Sequence, residues 1–443
     1  MAYTVPIHLK QNRTKMLSAE NRKAIIELMK REVVPAMGCT EPIAVSLCTA
    51  KAVELLGRTP SRIDVFLSPN ILKNAMGVGI PGTGMTGLPI AIALGAIAGR
   101  SIYQLEVLKD VTDADVERGR RMIDEQRIKI ALKEGACDTL HIEVGVYDGD
   151  DSALAIISGE HTNFVYLAKN SDVIFDNYRT TNADGDGACN MPLTMRTVWE
   201  FATESPIEEL TFILQARELN KQAAEESLRG EWGHCLGRTI SDKRQQAVFG
   251  NSSFVRMVSY TSAACDARMG GAKIPVMSNS GSGNQGIAST LPVVVYAEEI
   301  NATEEQTIRA LILSHLTVIY IKQSLGRLSA LCGCVVASTG SSCGITYLMG
   351  GGYNEVAMAV KNMVANLTGV ICDGAKPSCA LKLASSVSTA LFSAVMAMEH
   401  RCVTSLEGIV DDDVDKSIRN LTAIGSRGML ETDRMILSIM TNK

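Results

Sequence analysis

Hydrophobic residues near the start of the chain recur every three or four positions, which is the spacing of an amphipathic helix. Over residues 20–56 this pattern is broken at Pro35 and Gly38, so it predicts two helices rather than one. The second helix begins within the stretch CTEP, where Thr40 is the expected N-cap and Pro42 lies near the first helical position.

Strict alternation of apolar and polar residues replaces this spacing further along the chain, and it predicts strands. The first strand is RIDVFLSP, and a group of three follows it: TLHIEVGVYD, SALAIISGE and TNFVYLAKN. Turn residues separate the members of this group, which predicts an antiparallel meander. Between the first strand and the group, a charged amphipathic pattern predicts a helix over residues 113–134.

The character of the sequence changes again after about residue 186. From there the spacing is mostly helical, interrupted by glycine-rich loops, and no run indicates a strand. A length of 443 residues also exceeds what one ordinary hydrophobic core accommodates. We therefore predict an α+β fold, in which an N-terminal α+β domain with a small antiparallel sheet (residues 1–190) precedes a larger all-α domain (residues 191–443).

Composition and charge exclude several classes of function. Hydrophobic residues make up 46% of the chain and charged residues 21%, as in a folded globular protein. A net charge of -5 argues against binding to nucleic acid or to an anionic membrane, because phosphates would not be neutralised. The apolar run GLPIAIALGAIAG is shorter than the ~20 residues of a membrane span and predicts a buried helix. The N-terminus lacks the apolar region of a signal peptide, so we expect a cytoplasmic protein.

Two glycine-rich stretches are candidate ligand loops. KNAMGVGIPGTG does not have the Lys-Ser/Thr pair of a phosphate-binding loop at the required spacing, so it favours a backbone that approaches a ligand or a partner domain. SNSGSGNQGIAST precedes an apolar helical run, and its backbone N–H groups would suit a carboxylate. Taken alone, the second stretch is explained slightly better by an ordinary loop with a helix cap.

The chain contains twelve cysteines, and four of them lie in short loops. Cys372 and Cys379 flank a glycine and proline turn, while Cys332 and Cys334 lie in the stretch LCGC. They could be buried core residues, a disulfide, or ligands of a soft metal. A reducing compartment disfavours the disulfide, and the spacing differs from that of a structural zinc site. Three thiolates around one pocket could instead hold an iron–sulfur cluster that has one iron without a cysteine.

Cys39 is a further candidate for chemistry, because it immediately precedes a predicted helix N-terminus. The helix dipole at this position lowers the pKa of a thiol and favours the thiolate, although Glu41 in the first turn opposes this effect. A base, a nucleophile, a metal ligand and a buried structural cysteine are all consistent with the sequence.

Taken together and in this order, five motifs resemble the L-cysteine desulfidase family, which belongs to the wider group of iron–sulfur L-serine dehydratases. They are GCTEPIAVSL, KNAMGVGIPGTG, SNSGSGNQGI, LSALCGCVVASTGSSCGITYLMGGG and CDGAKPSCALK. Each motif alone is unspecific, but the combination is specific and extends over most of the chain.

The resemblance implies a [4Fe-4S] cluster that is held by three cysteines and has one iron free for the substrate. Its ligands would be Cys372, Cys379 and Cys334, with Cys332 as the alternative to Cys334. Cys39 is at the position of the desulfidase base. The implied substrate-binding residues are Thr40, Glu41, Lys73, Asn74, Ser282, Gly283 and Asn284.

The expected reaction is β-elimination from L-cysteine to sulfide, ammonia and pyruvate. Dehydration of L-serine is the first alternative, and a non-catalytic metal- or metabolite-binding protein is the second. The expected partner is therefore a small amino acid, with neither nucleic acid nor membrane involved. A homodimer that closes the site is one further expectation.

Overall fold

The computed structural model describes residues 17–135, 137–178, 192–326 and 329–442, and it confirms an α+β architecture. The helices are α1 (Ala19–Glu32), α2 (Thr40–Leu56), α3 (Pro69–Ala75), α4 (Leu88–Ile97), α5 (Asp113–Asp124), α6 (Met195–Glu204), α7 (Leu214–Arg229), α8 (Leu236–Ser241), α9 (Gln246–Phe249), α10 (Ser253–Met269), α11 (Gly283–Glu299), α12 (Glu304–Leu325), α13 (Gly333–Leu348), α14 (Tyr353–Leu367), α15 (Cys379–Met398), α16 (Val414–Ala423) and α17 (Leu430–Thr441). The strands are β1 (Pro35–Met37), β2 (Arg62–Leu67), β3 (Ile128–Leu132), β4 (His141–Asp148), β5 (Asp151–Ser158), β6 (Phe164–Lys169), β7 (Asp172–Asp176) and β8 (Pro275–Met277).

The main sheet has six strands in the order β3-β2-β4-β5-β6-β7. The predicted meander is confirmed as β4, β5 and β6, and the sheet is antiparallel except at one edge, where β3 pairs parallel with β2. The predicted helix over 113–134 is also too long. It ends at Asp124, and Gln126 with φ 53° reverses the chain into β3, where Ile128 and Ile130 pack toward the sheet core.

Two short strands that the sequence pattern did not indicate connect the halves of the chain. β1 pairs antiparallel with β8, from Pro35 opposite Met277 to Met37 opposite Pro275. Only three residue pairs form this contact, so neither strand shows enough alternation to be recognised. A small correction applies at the adjacent helix: Cys39 is the N-cap of α2 and Thr40 is its first helical residue.

The hydrophobic core has two principal parts. In the smaller part, α2 covers β4 and β5 of the sheet, and α4 packs against α2. The larger part is built from helices of the second half of the chain, together with Ile25, Leu28 and Met29 of α1. The predicted boundary at 190/191 falls outside the described residues, so the division into two domains remains a prediction.

The predicted buried apolar helix is confirmed as α4. Within the described ranges, α15 is the one helix whose length and composition would suit a membrane span, and 44% of its most apolar window is buried. Core helices of soluble proteins satisfy the same test, so this finding is weak evidence for a membrane protein. The cytoplasmic location remains a prediction.

Gly286 of α11 packs against Met277 at the end of β8, so a substitution at Gly286 tests how tightly the two elements pack. Alanine within a helix is usually favoured over glycine by about 1 kcal/mol. At this position, however, a Cβ would lie 1.9 Å from the carbonyl oxygen of Met277. We therefore expect Gly286→Ala to lower the free energy of unfolding by about 3 kcal/mol, measured by urea denaturation. Gly369→Ala is the control, because nothing lies within 4 Å of a Cβ there. Equal stability of Gly286→Ala and the wild type would contradict the packing.

Candidate active site

The pairing of β1 with β8 brings two distant motifs together. β1 leads into Cys39 and Thr40, while β8 leads into the loop ahead of α11. The backbone N–H of Ser278 donates to the carbonyl of Val34 at 2.8 Å, and the Thr40 hydroxyl donates to the carbonyl of Gly281 at 3.2 Å. The stretches GCTEP and SNSGSGNQG therefore contribute to the same pocket.

A second backbone contact joins the two cysteine-bearing loops. Leu331 and Ile371 form an isolated antiparallel bridge. On either side of it, the N–H groups of Cys332 and Cys372 donate to carbonyls of the opposite loop, at 3.0 and 2.7 Å. The Cys334 thiol donates to the sulfur of Cys332 at 3.2 Å, and Cys332 also interacts with Cys372. Cys332 thus lies between the other two thiols.

Two thiols of these loops, Cys372 and Cys379, have raised pKa values. The hydrogen bond with Cys332, and then burial, raise the pKa of Cys372 well above its ordinary value. Burial likewise raises the pKa of Cys379, which begins α15. In the protein alone these groups are therefore thiols at neutral pH, and a bound metal would have to displace their protons.

Two lysines supply positive charge beside the thiols. Burial opposes the ionisation of Asp373, but hydrogen bonds from Lys376 and Lys382 outweigh it and lower the pKa of this carboxyl to about 2. The Lys376 ammonium lies 2.6 Å from the carboxylate, and Lys382 also donates to the carbonyl of Ile371 at 2.8 Å. Both cations act on Cys379 and lower its pKa, although burial acts in the opposite direction, so they favour the thiolate of this residue.

The four thiols at the pocket are soft donors of the kind that hold iron–sulfur clusters. Among the described residues, no three His, Cys, Asp or Glu side chains form a group that could hold one ion. Cysteines that hold a cluster bind different iron atoms, so thiols distributed around one pocket suit such a group. The cysteines in the described ranges are free, and Cys332, Cys334, Cys372 and Cys379 all line the pocket.

Cys39 differs from the prediction in its protonation. Its side chain is 3% exposed and donates a hydrogen bond to Oε2 of Glu41 at 2.9 Å. Burial, and then the charge of Glu41, raise the pKa of Cys39 well above its ordinary value, although Arg268 acts in the opposite direction. The expectation of a lowered pKa from the helix dipole is therefore wrong. Cys39 is a neutral thiol whose proton is directed at a carboxylate.

Arg268 and Gln285 are site residues that the sequence analysis missed. Both are 3% exposed and line the pocket. Arg268 extends from α10 and donates to Oδ1 of Asn284 at 3.1 Å. A charged residue within the small-residue run SAACDARMGG was the available signal for Arg268. Gln285 belongs to the motif that had been singled out as a carboxylate loop.

The pocket has a volume of about 110 Å³, which suits a small metabolite rather than a nucleotide. It collects most of the predicted site residues, namely Cys39, Glu41, Asn74, Ser282, Asn284, Cys332, Cys334, Cys372 and Cys379. It also includes His161, which lies among the turn residues between β5 and β6.

Three predicted residues are not among those that line the pocket. Thr40 uses its hydroxyl to hold the 278–282 loop and the carboxylate of Glu41. Lys73 is 2% exposed and forms an ion pair with Asp433 of α17. Gly283 provides space for Arg268, because a Cβ at position 283 would lie only 2.2 Å from Nε of Arg268. Their predicted contacts with substrate remain predictions.

A comparison with protein families matches residues 102–438 of the chain to the serine dehydratase alpha chain family. The chain belongs to this family. The match includes both cysteine-bearing loops and Arg268, whereas Cys39 and Glu41 precede it. Membership in the serine dehydratase alpha chain family indicates a lyase of the dehydratase type, in a family associated with iron–sulfur serine dehydratases.

Curated relatives match nearly the whole chain. A UPF0597 protein of Bacteroides fragilis is 64% identical over 427 residues, which cover 96% of this chain and 100% of the relative. A UPF0597 protein of Porphyromonas gingivalis is 52% identical over 432 residues, with 96% and 100% coverage. A UPF0597 protein of Photobacterium profundum is 45% identical over 420 residues, with 94% and 98% coverage. None of these names specifies a substrate.

A buried histidine, His315, supports the 278–282 loop, which lines one side of the pocket. His315 of α12 is 0% exposed, and Nδ2 of Asn279 donates to its Nδ1 at 3.1 Å. Its Nε2 lies 2.9 Å from the hydroxyl of Thr290, which itself donates to the carbonyl of Gly286. Both ring nitrogens are therefore satisfied in the neutral form, and a proton on Nδ1 would face an amide N–H.

Burial lowers the pKa of His315 to about 3, compared with 6.5 for an exposed histidine. Protonation in the unfolded state therefore begins near pH 6.5, while the folded state resists it until about pH 3. Stability is lost as the pH falls through this window. We expect a loss of about 2 kcal/mol between pH 7 and pH 5, measured by urea denaturation.

His315→Gln should remove most of this dependence on pH. His400→Gln is the control, since the His400 side chain is 73% exposed. An unchanged slope of stability against pH in His315→Gln would show that the neutral histidine is not its source.

Proposed function

We propose that the protein catalyses a [4Fe-4S]-dependent β-elimination from L-cysteine that yields sulfide, ammonia and pyruvate. Dehydration of L-serine to pyruvate and ammonia is the second candidate, and the family match favours it. The observation that carries the proposal is one small pocket lined by four thiols, the Cys39–Glu41 pair and the 278–284 loop. A thiol substrate suits a soft site, and the GCTEP motif resembles the desulfidases more closely than the serine enzymes.

The cluster would be held by Cys372, Cys379 and one thiol of the LCGC stretch. The contact of Cys332 with Cys372 supports Cys332 as the third ligand, although the motif comparison favours Cys334. When bound, a cluster with one iron free of cysteine supplies a Lewis acid that stabilises the departing sulfide or hydroxide. The lysines paired with Asp373 add positive charge beside these thiolates.

The chain's own residues would bind the substrate and accept its α-proton. The N-terminus of α11, with Ser282 and Asn284, offers the substrate carboxylate a partial positive charge and hydrogen-bond donors. Cys39 is the candidate base, and its hydrogen bond to the Glu41 carboxylate helps to raise its pKa, so Cys39 would act after its thiol proton has been lost to solvent. The released aminoacrylate would hydrolyse to pyruvate and ammonia.

A non-catalytic protein that binds a metal or a metabolite is the competing interpretation. It accounts for the thiols but not for the Cys39–Glu41 pair, which lies in the same pocket. Zinc in place of iron would favour it.

The first test is anaerobic reconstitution with iron and sulfide. We expect about four irons per chain, the visible absorption of a cluster, and pyruvate release from L-cysteine or L-serine. Cys372→Ala should lose cluster and turnover together, because it removes a ligand. Cys343→Ala is the matched control, since Cys343 is fully buried in α13 and does not line the pocket.

Cys332→Ala and Cys334→Ala identify the third ligand by their iron content. Zinc instead of iron, or a complete cluster without turnover of either amino acid, would contradict the proposed reaction.

The second test uses the raised pKa of Cys39. Because a base acts when deprotonated, kcat/KM should rise with pH from neutral into the alkaline range. Glu41→Gln removes a negative charge that raises this pKa, so the rising limb should move to lower pH. Cys39→Ser should lose roughly 10²- to 10⁴-fold in kcat/KM.

Cys48→Ser is the control for Cys39→Ser, since Cys48 is buried in the same helix and lies away from the pocket. A rising limb that does not move in Glu41→Gln would exclude the coupled pair, and full activity of Cys39→Ser would exclude the base.

A further inference from the structure

Two buried side-chain atoms of opposite polarity in the pocket have no hydrogen-bond partner among the described residues. They are Nε of Arg268, which can only donate, and Oε1 of Gln285, which can only accept. Burying such a group without a partner costs about 1–3 kcal/mol. Since both side chains line the same small pocket, a ligand that carries an acceptor and a donor would satisfy them together.

Arg268 also lacks a counter-ion. Within the described ranges, no carboxylate lies within the 4.0 Å of an ion pair from its guanidinium, whose one hydrogen bond to a side chain is donated to the neutral Asn284. Its Nε lies over Gly283, the first residue of α11, so a full positive charge adjoins the positive end of a helix. A buried cation in this position is stabilised by an anion, and a carboxylate fits the planar fork of a guanidinium.

Gln285 presents the complementary group. Its Nε2 donates to the carbonyl of Asn279 at 3.5 Å, while Oε1 has no partner among the described residues. This oxygen faces Gly333, at the start of the helix that follows Cys332, and a Cβ on Gly333 would lie 3.3 Å from it. Glu41 adds a carboxylate to the same lining. An ammonium group would satisfy both acceptors.

We propose that Arg268 and Gln285 form a zwitterion clamp: Arg268 binds the α-carboxylate of the substrate, and Gln285 binds its α-ammonium. This inference rests on the proposed function and assigns one residue to each charged group of its amino-acid substrate, so a ligand with only one of the two groups should bind more weakly. The clamp would hold Cα at fixed positions relative to Cys39 and to the thiols, so it would select the reacting hydrogen without itself contacting the β-carbon.

The test uses ligands that cannot undergo elimination. L-alanine keeps both charged groups and lacks a β leaving group, while propionate keeps only the carboxylate. Binding of each to the anaerobically reconstituted full chain is measured by calorimetry. We expect Arg268→Met to weaken both ligands by roughly 10- to 100-fold. We expect Gln285→Met to weaken L-alanine and to leave propionate unchanged.

Arg256→Met is the control, because Arg256 lies on the same helix and pairs with Glu298 and Glu299 at the surface. If circular dichroism shows that Arg268→Met does not fold, Arg268→Lys replaces it, and a partial loss is expected because a point charge cannot grip both carboxylate oxygens. Wild-type affinity for L-alanine in the Arg268 variant overturns the clamp, as does equal loss of propionate in Gln285→Met. Wild-type protein that binds no L-alanine also overturns it. L-alanine binding without pyruvate release from either substrate would refute the elimination and leave the clamp intact.

Discussion

The antiparallel pairing of β1 with β8 is the contact on which the candidate site depends. It is only three residue pairs long, yet β1 leads into α2, β8 leads through the 278–282 loop into α11, and residues at both helix starts line the pocket. The N-termini of α2 and α11 are thereby placed side by side, with Cys39 and Glu41 on one and Ser282 and Asn284 on the other. Because both helices begin here, the partial positive charges of their N-termini add to the full positive charge of the Arg268 guanidinium. The pocket therefore favours a ligand with negative charge.

The second constraint is the electrostatic cost of burying ionisable groups. Burial raises the pKa values of Cys39 and Cys379, and the hydrogen bond with Cys332, followed by burial, raises that of Cys372. Each thiol has a compensating group nearby. The Glu41 carboxylate accepts a hydrogen bond from the Cys39 thiol, and Lys376 and Lys382, which pair with Asp373, lie beside the cysteine loops. A positively charged cluster would complete this compensation at the loops. His315 follows the same rule, since burial lowers its pKa and keeps the ring neutral.

Much of the fold could be predicted from local sequence pattern. The meander of β4, β5 and β6, the buried helix α4 and the start of α2 near CTEP are each specified by periodicity or by turn and cap residues. The errors occurred where tertiary contacts override local preference. The sequence after Asp124 continues a charged helical pattern, but Ile128 and Ile130 gain more by joining the sheet beside β2. β1 and β8 are too short to produce a pattern.

The sequence by itself determined the chemical inventory: the thiols, the glycine-rich loops and the motif order that indicates the family. The tertiary structure alone decided which of these residues share a pocket. It placed Arg268 and Gln285 there, directed Thr40 to the backbone of the 278–282 loop, and paired Lys73 with Asp433. It also raised the pKa of Cys39, which the helix dipole alone was expected to lower. The dipole is a local property, whereas burial and the orientation of Glu41 depend on the surrounding structure.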